Sequence, residues 1–341
     1  MPIFATDLFV LSMKNYYLLL AIMVIVSLFP SVTHGQESKE GRSYWIDRYL
    51  SVSYPLANIE VTSPFGERND PFTGQRTSHS GLDLRAGYEQ VMAMFDGRVE
   101  RIGNDDRSGN FVILQHGEYT VCYCHLSKVL VYKDDSVYAG LPVAVSGSTG
   151  RSSGPHLHIT ARRKGEIVNP YHLLLYIRFI REECVKALRP VANIPKDKEE
   201  FFRTYADIAV EHQRRYGIPA SVTLAQMALE SSYGESELAR KGNNFFGIRV
   251  GSSWKGARSW HEDDVPGYFR NYDSVLQSIE DHSRLLMTDR YKRCRNYGST
   301  DYHNWLVEIK RAGYASARGY VESCENVITK YKLYNYDKLA E

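Results

Sequence analysis

Five cysteines in 341 residues, at positions 122, 124, 184, 294 and 324, are too few and too scattered for the disulfide framework that staples small secreted domains. The count is odd, so at least one thiol stays unpaired. Spacing allows a bridge between Cys294 and Cys324, whereas Cys122 and Cys124 flank Tyr123 at strand spacing and read as core residues. An excess of one charge is also missing: 42 Lys and Arg face 40 Asp and Glu, a formal net charge of +2. With no dense basic run either, nucleic acid is excluded as an expected partner. No internal repeat is present. The N-terminal apolar run, Tyr16 to Phe29, falls short of the roughly 20 residues of a comfortable membrane span.

That run nevertheless has a use. It follows Met13-Lys14-Asn15 and precedes Pro30 and a small-residue site, Thr33-His34-Gly35, before Gln36, the layout of an export signal. Residues 1–35 are therefore expected to be a signal peptide, or else an N-terminal anchor. Either places the remainder outside the cytoplasm, in the periplasm or beyond the cell.

The rest is long enough for two domains of ordinary composition. Residues 36–54 form a short N-terminal segment expected to pack on the first domain. Over 55–172 short apolar runs are broken by Gly, Asp and Ser, which predicts an antiparallel all-β unit. The period changes in Tyr171 to Leu188, where Leu174, Ile177, Ile180, Cys184 and Leu188 make a helical stripe; residues 173–198 read as helix and linker. Residues 199–341 read as a mainly α domain. Helices are expected up to Gly217, over 220–232, and in the segments Ser274 to Leu286, Tyr302 to Ala312 and Tyr320 to Tyr331. A small hairpin is expected between Asn243 and Asn271.

The chemistry concentrates in two places. In the β half, Gly154-Pro155-His156-Leu157-His158 sets two imidazoles on one face of a strand while Leu157 turns to the core. Upstream, His79 and Asp83 share a face if their segment is extended. Imidazoles and one carboxylate with an open position suit a catalytic rather than a structural zinc. With Ser63-Pro64-Phe65-Gly66, Arg68 and Tyr123-Cys124-His125-Leu126 in the same order, this half resembles the lysostaphin and LytM type of zinc endopeptidases, peptidase family M23. The resemblance implies that His79, Asp83 and His158 hold Zn2+. It places His125 and His156 beside the metal as unliganded catalytic histidines, with either as proton acceptor, and Tyr123 against the substrate. The substrate implied is a peptide of bacterial peptidoglycan.

In the α half, Ala225 to Ser236, Asn243 to Ile248, Phe269 to Ser274, Asp281-His282 and Gly313-Tyr314-Ala315 resemble the glucosaminidases of glycoside hydrolase family 73. The fold implied is lysozyme-like, with Glu230 as general acid at a helix end, half enclosed by Leu229, Tyr233 and Phe245. Burial of that kind raises a carboxyl pKa. The family's second carboxylate falls among Glu262, Asp263 and Asp264, with Glu262 the first choice. Tyr314 and Trp260 are expected sugar contacts. Ser316-Ala317-Arg318 departs from the family's usual Thr-Asp-Pro.

Together these readings predict an exported, bifunctional peptidoglycan hydrolase that cuts peptide crosslinks and glycan strands, with an envelope-spanning secretion or conjugation apparatus as a candidate partner. The alternatives are a wall-binding scaffold or activator with silent sites, and a secreted lysis toxin.

Overall fold

The computed structural model describes residues 39–70, 73–188, 195–251, 254, 256–262 and 266–340. The expected signal at 1–35 lies outside the described residues, as does 189–194 in the expected linker. Among the described residues no helix is long and apolar enough to cross a membrane.

The β half is built on an eight-stranded antiparallel sheet. Its centre is the strand His156–Arg163, paired with Leu82–Arg85 on one side and with Tyr119–Leu126 on the other. Alternation decides which face is buried: Leu157, Ile159 and Ala161 are at most 1% exposed, and the residues between them face outward. A separate hairpin, Gly66–Asn69 with Arg76–His79, sets Gly66 opposite His79. Leu82, Leu84, Val121 and Tyr123 complete the core beneath the sheet.

The helical half follows its sequence pattern closely. Tyr171–Ala187 buries Leu174, Ile177, Ile180 and Cys184. Lys198–Tyr216 begins where the Asp197 side chain accepts the Glu200 N–H at 2.7 Å, and stops at Gly217, whose φ of +71° a side chain would resist. Ala220–Glu230 is held at its first turn by Asp337, which accepts from the Ser221 N–H at 2.7 Å and its hydroxyl at 2.6 Å. Val275–Leu286, Tyr302–Arg311 and Tyr320–Lys330 match expectation within two residues, and Arg258–His261 pairs with Gly267–Arg270 as the hairpin. The five cysteines are free, so Cys294 and Cys324 are not bridged.

The segment before the β half packs on the first domain only in its last residues. Lys39–Leu50 is a helix, and it docks mainly on the helical half: Arg42 reaches the Thr204 carbonyl at 3.0 Å and Ser43 the Glu211 carboxylate at 2.8 Å. Only beyond it does the chain join the β half, where the Ser53 N–H meets the Met94 carbonyl at 2.9 Å. The two halves are accordingly in contact and form one unit, residues 42–341. Asp96 of the β half takes both guanidinium nitrogens of Arg215, at 2.8 and 3.2 Å.

Glu280, 4% exposed, ties the helices Lys39–Leu50 and Tyr171–Ala187 to Val275–Leu286. It accepts from Arg181 at 2.6 Å, Arg284 at 2.7 Å and the Tyr49 hydroxyl at 3.1 Å. Burial pushes its pKa up, but the two arginines outweigh burial and hold it below the usual carboxylate range. Glu280→Ala would leave two buried guanidiniums without a counter-charge, and should cost about 3–5 kcal/mol in chemical denaturation. Because the folded pKa is depressed, the stabilisation is complete above the ordinary glutamate value of about 4.3 and is lost as pH falls below it. A loss under about 1 kcal/mol, or no change in acid sensitivity, would show that this cluster does not hold these helices together.

Candidate active sites

The first site lies where three neighbouring strands place functional side chains on one face. Asp83, His158 and Cys124 stand opposite one another across the ladder, and His125 follows Cys124 at a bulge. His125 has φ +58°, a left-handed backbone that a bulky residue adopts only when its surroundings impose it. The Ser108 carbonyl holds its N–H at 2.8 Å. His79 and Asp83 do not share one extended strand, as their spacing suggested. They sit on successive strands joined through Ser80-Gly81, and the turn brings them together.

His79, Asp83 and His158 offer donor atoms within 4.8 Å of one another. His158 Nδ1 is 2.6 Å from Asp83 Oδ1, and His79 Nε2 is 3.4 Å from the same oxygen. Each histidine is oriented from behind. His79 Nδ1 lies 2.7 Å from the Pro64 carbonyl, so it donates there and turns Nε2 inward; the His158 ring rests on Gly81, which a side chain would displace. The second oxygen of Asp83 receives Arg68 at 3.0 Å. Burial pushes the Asp83 pKa up, but the hydrogen bonds from His158 and His79 prevail and keep the carboxyl ionised far below the usual range. Two imidazoles and one ionised carboxylate fit a divalent zinc ion with a position left for water or substrate.

His125 and His156 flank this group, their ring centres 4.7 Å apart. Both are tethered at Nδ1, His125 to the Thr149 carbonyl and His156 to that of Gly154, each at 2.8 Å. Both therefore aim Nε2 at the centre, where His156 comes within 3.7 Å of Asp83. Burial lowers the His125 pKa, which keeps this imidazole neutral and able to accept a proton.

Two expectations are corrected. Tyr123 has 0% exposure and its hydroxyl accepts the Met94 N–H at 3.2 Å, so it is core and not a substrate contact. Alternation explains why: it points opposite to Cys122 and Cys124. Those two line the groove instead of the core, with Sγ atoms 3.4 Å apart. Arg68 and Gly81 act on the ligands, and no spacing rule singles them out as doing so.

In the helical half, Glu230 is the last residue of its helix because Ser232, Tyr233 and Gly234 all have positive φ and turn the chain away. The residue reaches solvent, yet burial of its carboxyl raises the pKa. The aromatic residues expected around it belong to a packed cluster. Tyr233 packs on Phe201, Phe202 and Tyr331, and Phe245 on Tyr205. Gly247 is the close neighbour, since a Cβ there would stand 3.8 Å from Glu230 Oε2. The Tyr314 hydroxyl is buried without a partner among the described residues, and the Glu230 charge helps to raise its pKa. Trp260 is 52% exposed on the hairpin, paired edge-to-face with Tyr268 at 5.0 Å. Glu262 is exposed just beyond that strand, and Asp263 and Asp264 lie outside the described residues.

Comparison with known proteins separates the chain the same way. Residues 77–170 match the model of peptidase family M23, and residues 206–333 match the glucosaminidase model, described as mannosyl-glycoprotein endo-beta-N-acetylglucosaminidase. An uncharacterized metalloprotease of Haemophilus influenzae is 42% identical over 122 residues, which are 34% of this chain and 26% of that protein. Peptidoglycan DD-endopeptidase ShyA of Vibrio cholerae is 38% identical over 120 residues, 34% of this chain and 28% of that protein. Exo-glucosaminidase LytG of Bacillus subtilis is 30% identical over 140 residues, 37% of this chain and 48% of that protein. The chain thus spans about a quarter to a half of these relatives. It joins a peptidase family M23 domain, in its β half, to a glucosaminidase domain in its helical half.

Proposed function

We propose that this protein is an exported hydrolase of bacterial peptidoglycan with two active sites. The domain from about residue 55 to 172 cuts peptide crosslinks with a zinc ion on His79, Asp83 and His158. The domain from about 199 to 341 cuts the glycan strand with Glu230 as acid. The observation that carries this reading is the convergence of His79, Asp83 and His158 donor atoms within 4.8 Å, flanked by two histidines whose free nitrogens face them.

Zinc held by His79, Asp83 and His158 would supply a Lewis acid for the scissile carbonyl and would make water acidic enough to deprotonate near neutrality. His125, neutral through burial, takes the proton at Nε2. His156 presents its Nε2 to the oxygen that gains charge. Asp83, held ionised by its neighbours, keeps the donor set anionic, and Arg68 fixes its second oxygen. In the other domain Glu230 gives its proton to the glycosidic oxygen, and the exposed Trp260 offers a face to a sugar ring.

Gly81 gives a test of the metal site that does not depend on turnover. A Cβ there would lie 2.5 Å from His158 Cε1 and 2.6 Å from the Ile159 carbonyl oxygen. Gly81→Ala must move the ring, and zinc affinity, measured by competition with a chromophoric chelator, should fall about 10–100-fold. Unchanged affinity would remove His158 from the ligand set.

The function is tested by digesting purified sacculi with the full-length protein and reading fragments by mass. New amino termini that vanish with a chelator, and new reducing ends that do not, are the expected products. Absence of both would favour the scaffold. Local wall opening for a secretion or conjugation apparatus is the finer reading. Neighbouring genes for such a machine would support it, and an adjacent immunity gene would point to a toxin.

A further inference from the structure

The groove over the His79, Asp83 and His158 cluster has a volume of about 840 Å³ and an unequal charge. Four arginines line it, at 68, 85, 107 and 151, against two aspartates, Asp70 and Asp83. Three of the arginines are engaged. Arg68 is on Asp83 at 3.0 Å, Arg85 on Glu60 at 2.7 Å, and Arg151 on both oxygens of Asp70 at 2.9 and 3.1 Å. Arg107 has no acidic partner among the described residues.

Its place is nevertheless fixed. Asp105 Oδ1 accepts the backbone N–H groups of Arg107 and Ser108 at 3.0 and 2.6 Å, and the Arg107 carbonyl accepts the Arg151 N–H at 3.1 Å. The two loops interlock at Gly109 and Gly150, where a Cβ on Gly150 would stand 2.2 Å from the Gly109 nitrogen. The next residue, Ser108, holds the His125 backbone. An exposed guanidinium is thus mounted on a braced loop one residue from the support of a catalytic histidine.

We propose that Arg107 is a specificity residue that binds a free carboxylate of the peptide substrate close to the scissile bond. The inference rests on the peptidase reading above. A carboxylate is the anion a peptide can offer, and a guanidinium grips it through two parallel hydrogen bonds. A neutral peptide would leave the cationic wall of the groove unmatched.

The test uses the full-length protein and two synthetic crosslinked wall peptides, identical except that one carries free carboxylates beside the scissile bond and the other carboxamides. The wild type should cut the acid form with kcat/KM about tenfold or more higher, mainly through KM, as a charge-assisted hydrogen bond implies. In Arg107→Gln that preference should collapse to about twofold or less, with bound zinc per chain retained. Asp106→Asn, an exposed change on the same loop, should leave it as in the wild type. Equal cutting of both peptides by the wild type, or a preference that survives Arg107→Gln, would overturn the inference and leave the peptidase reading standing. No cutting of either peptide would overturn both.

Discussion

Asp83→Ala should abolish the release of new amino termini from sacculi while new reducing ends continue to appear. The carboxylate has two separate duties. It is expected to bind the metal beside His158 Nδ1, which lies 2.6 Å away, and it receives Arg68 at 3.0 Å. Removing it leaves a guanidinium facing two imidazoles in a half-enclosed groove, where a cation would be repelled. Loss of a mere outer-shell partner lowers metal affinity about 10–100-fold, so loss of a ligand with an outer-shell duty should exceed about a hundredfold. Zinc per chain, measured by mass spectrometry after dialysis, should fall close to zero. Asp83→Asn separates charge from shape: it keeps the volume and an acceptor but lacks the anion, and should fail nearly as badly. A dialysed Asp83→Ala protein that keeps one zinc and cuts within about tenfold of the wild type would sink the assignment.

What made this site readable in the sequence was local geometry. An HxH on a strand has one outcome, because alternate residues share a face whatever the strand pairs with. Pro219 and Gly217 likewise mark the start of one helix and the stop of another, since φ restrictions act within a turn. Other features depend on distant partners. Tyr123 faces the core by simple alternation, whereas His125, two residues on, reaches the groove only because of a bulge that no residue type announces. The helix Lys39–Leu50 is hard to read because its buried face, Ile46, Tyr49 and Leu50, amounts to a single turn at i, i+3, i+4 spacing, too short a stripe to stand out among polar neighbours. The dependence on Glu280 was invisible because Arg181 and Tyr49 lie 99 and 231 residues from it. Glycines were ambiguous until neighbours were known: Gly217 ends a helix by its positive φ, whereas Gly81 matters because the His158 ring occupies the space of a side chain.

Glu230→Gln should reverse the pattern of Asp83→Ala, ending the release of reducing ends while peptide cutting and zinc content stay as in the wild type. General acid catalysis contributes about 10²–10⁴-fold, and a carboxamide has no proton of suitable acidity to give. Since Glu230 reaches solvent, the substitution should leave the unfolding midpoint within about 0.5 kcal/mol of the wild type, so lost activity would not reflect lost fold. The pH profile adds a second, independent check. Burial raises the Glu230 pKa, so the proton is retained at higher pH than on an ordinary glutamate, whose value is about 4.3. The active form is protonated, and glycan cutting should therefore decline as pH rises through that elevated value. Peptide cutting need not follow, because its proton acceptor, His125, is shifted downward by burial and stays neutral as pH rises. In the wild type the two activities should thus part company on the alkaline side, the glycosidase failing first. Replacing Gly247 by Ala should act through the backbone, whose φ of +60° disfavours a side chain, because the new methyl would make only an ordinary contact of 3.8 Å with Oε2. Glycan cutting in Glu230→Gln at the wild-type rate would move the acid elsewhere in the cleft.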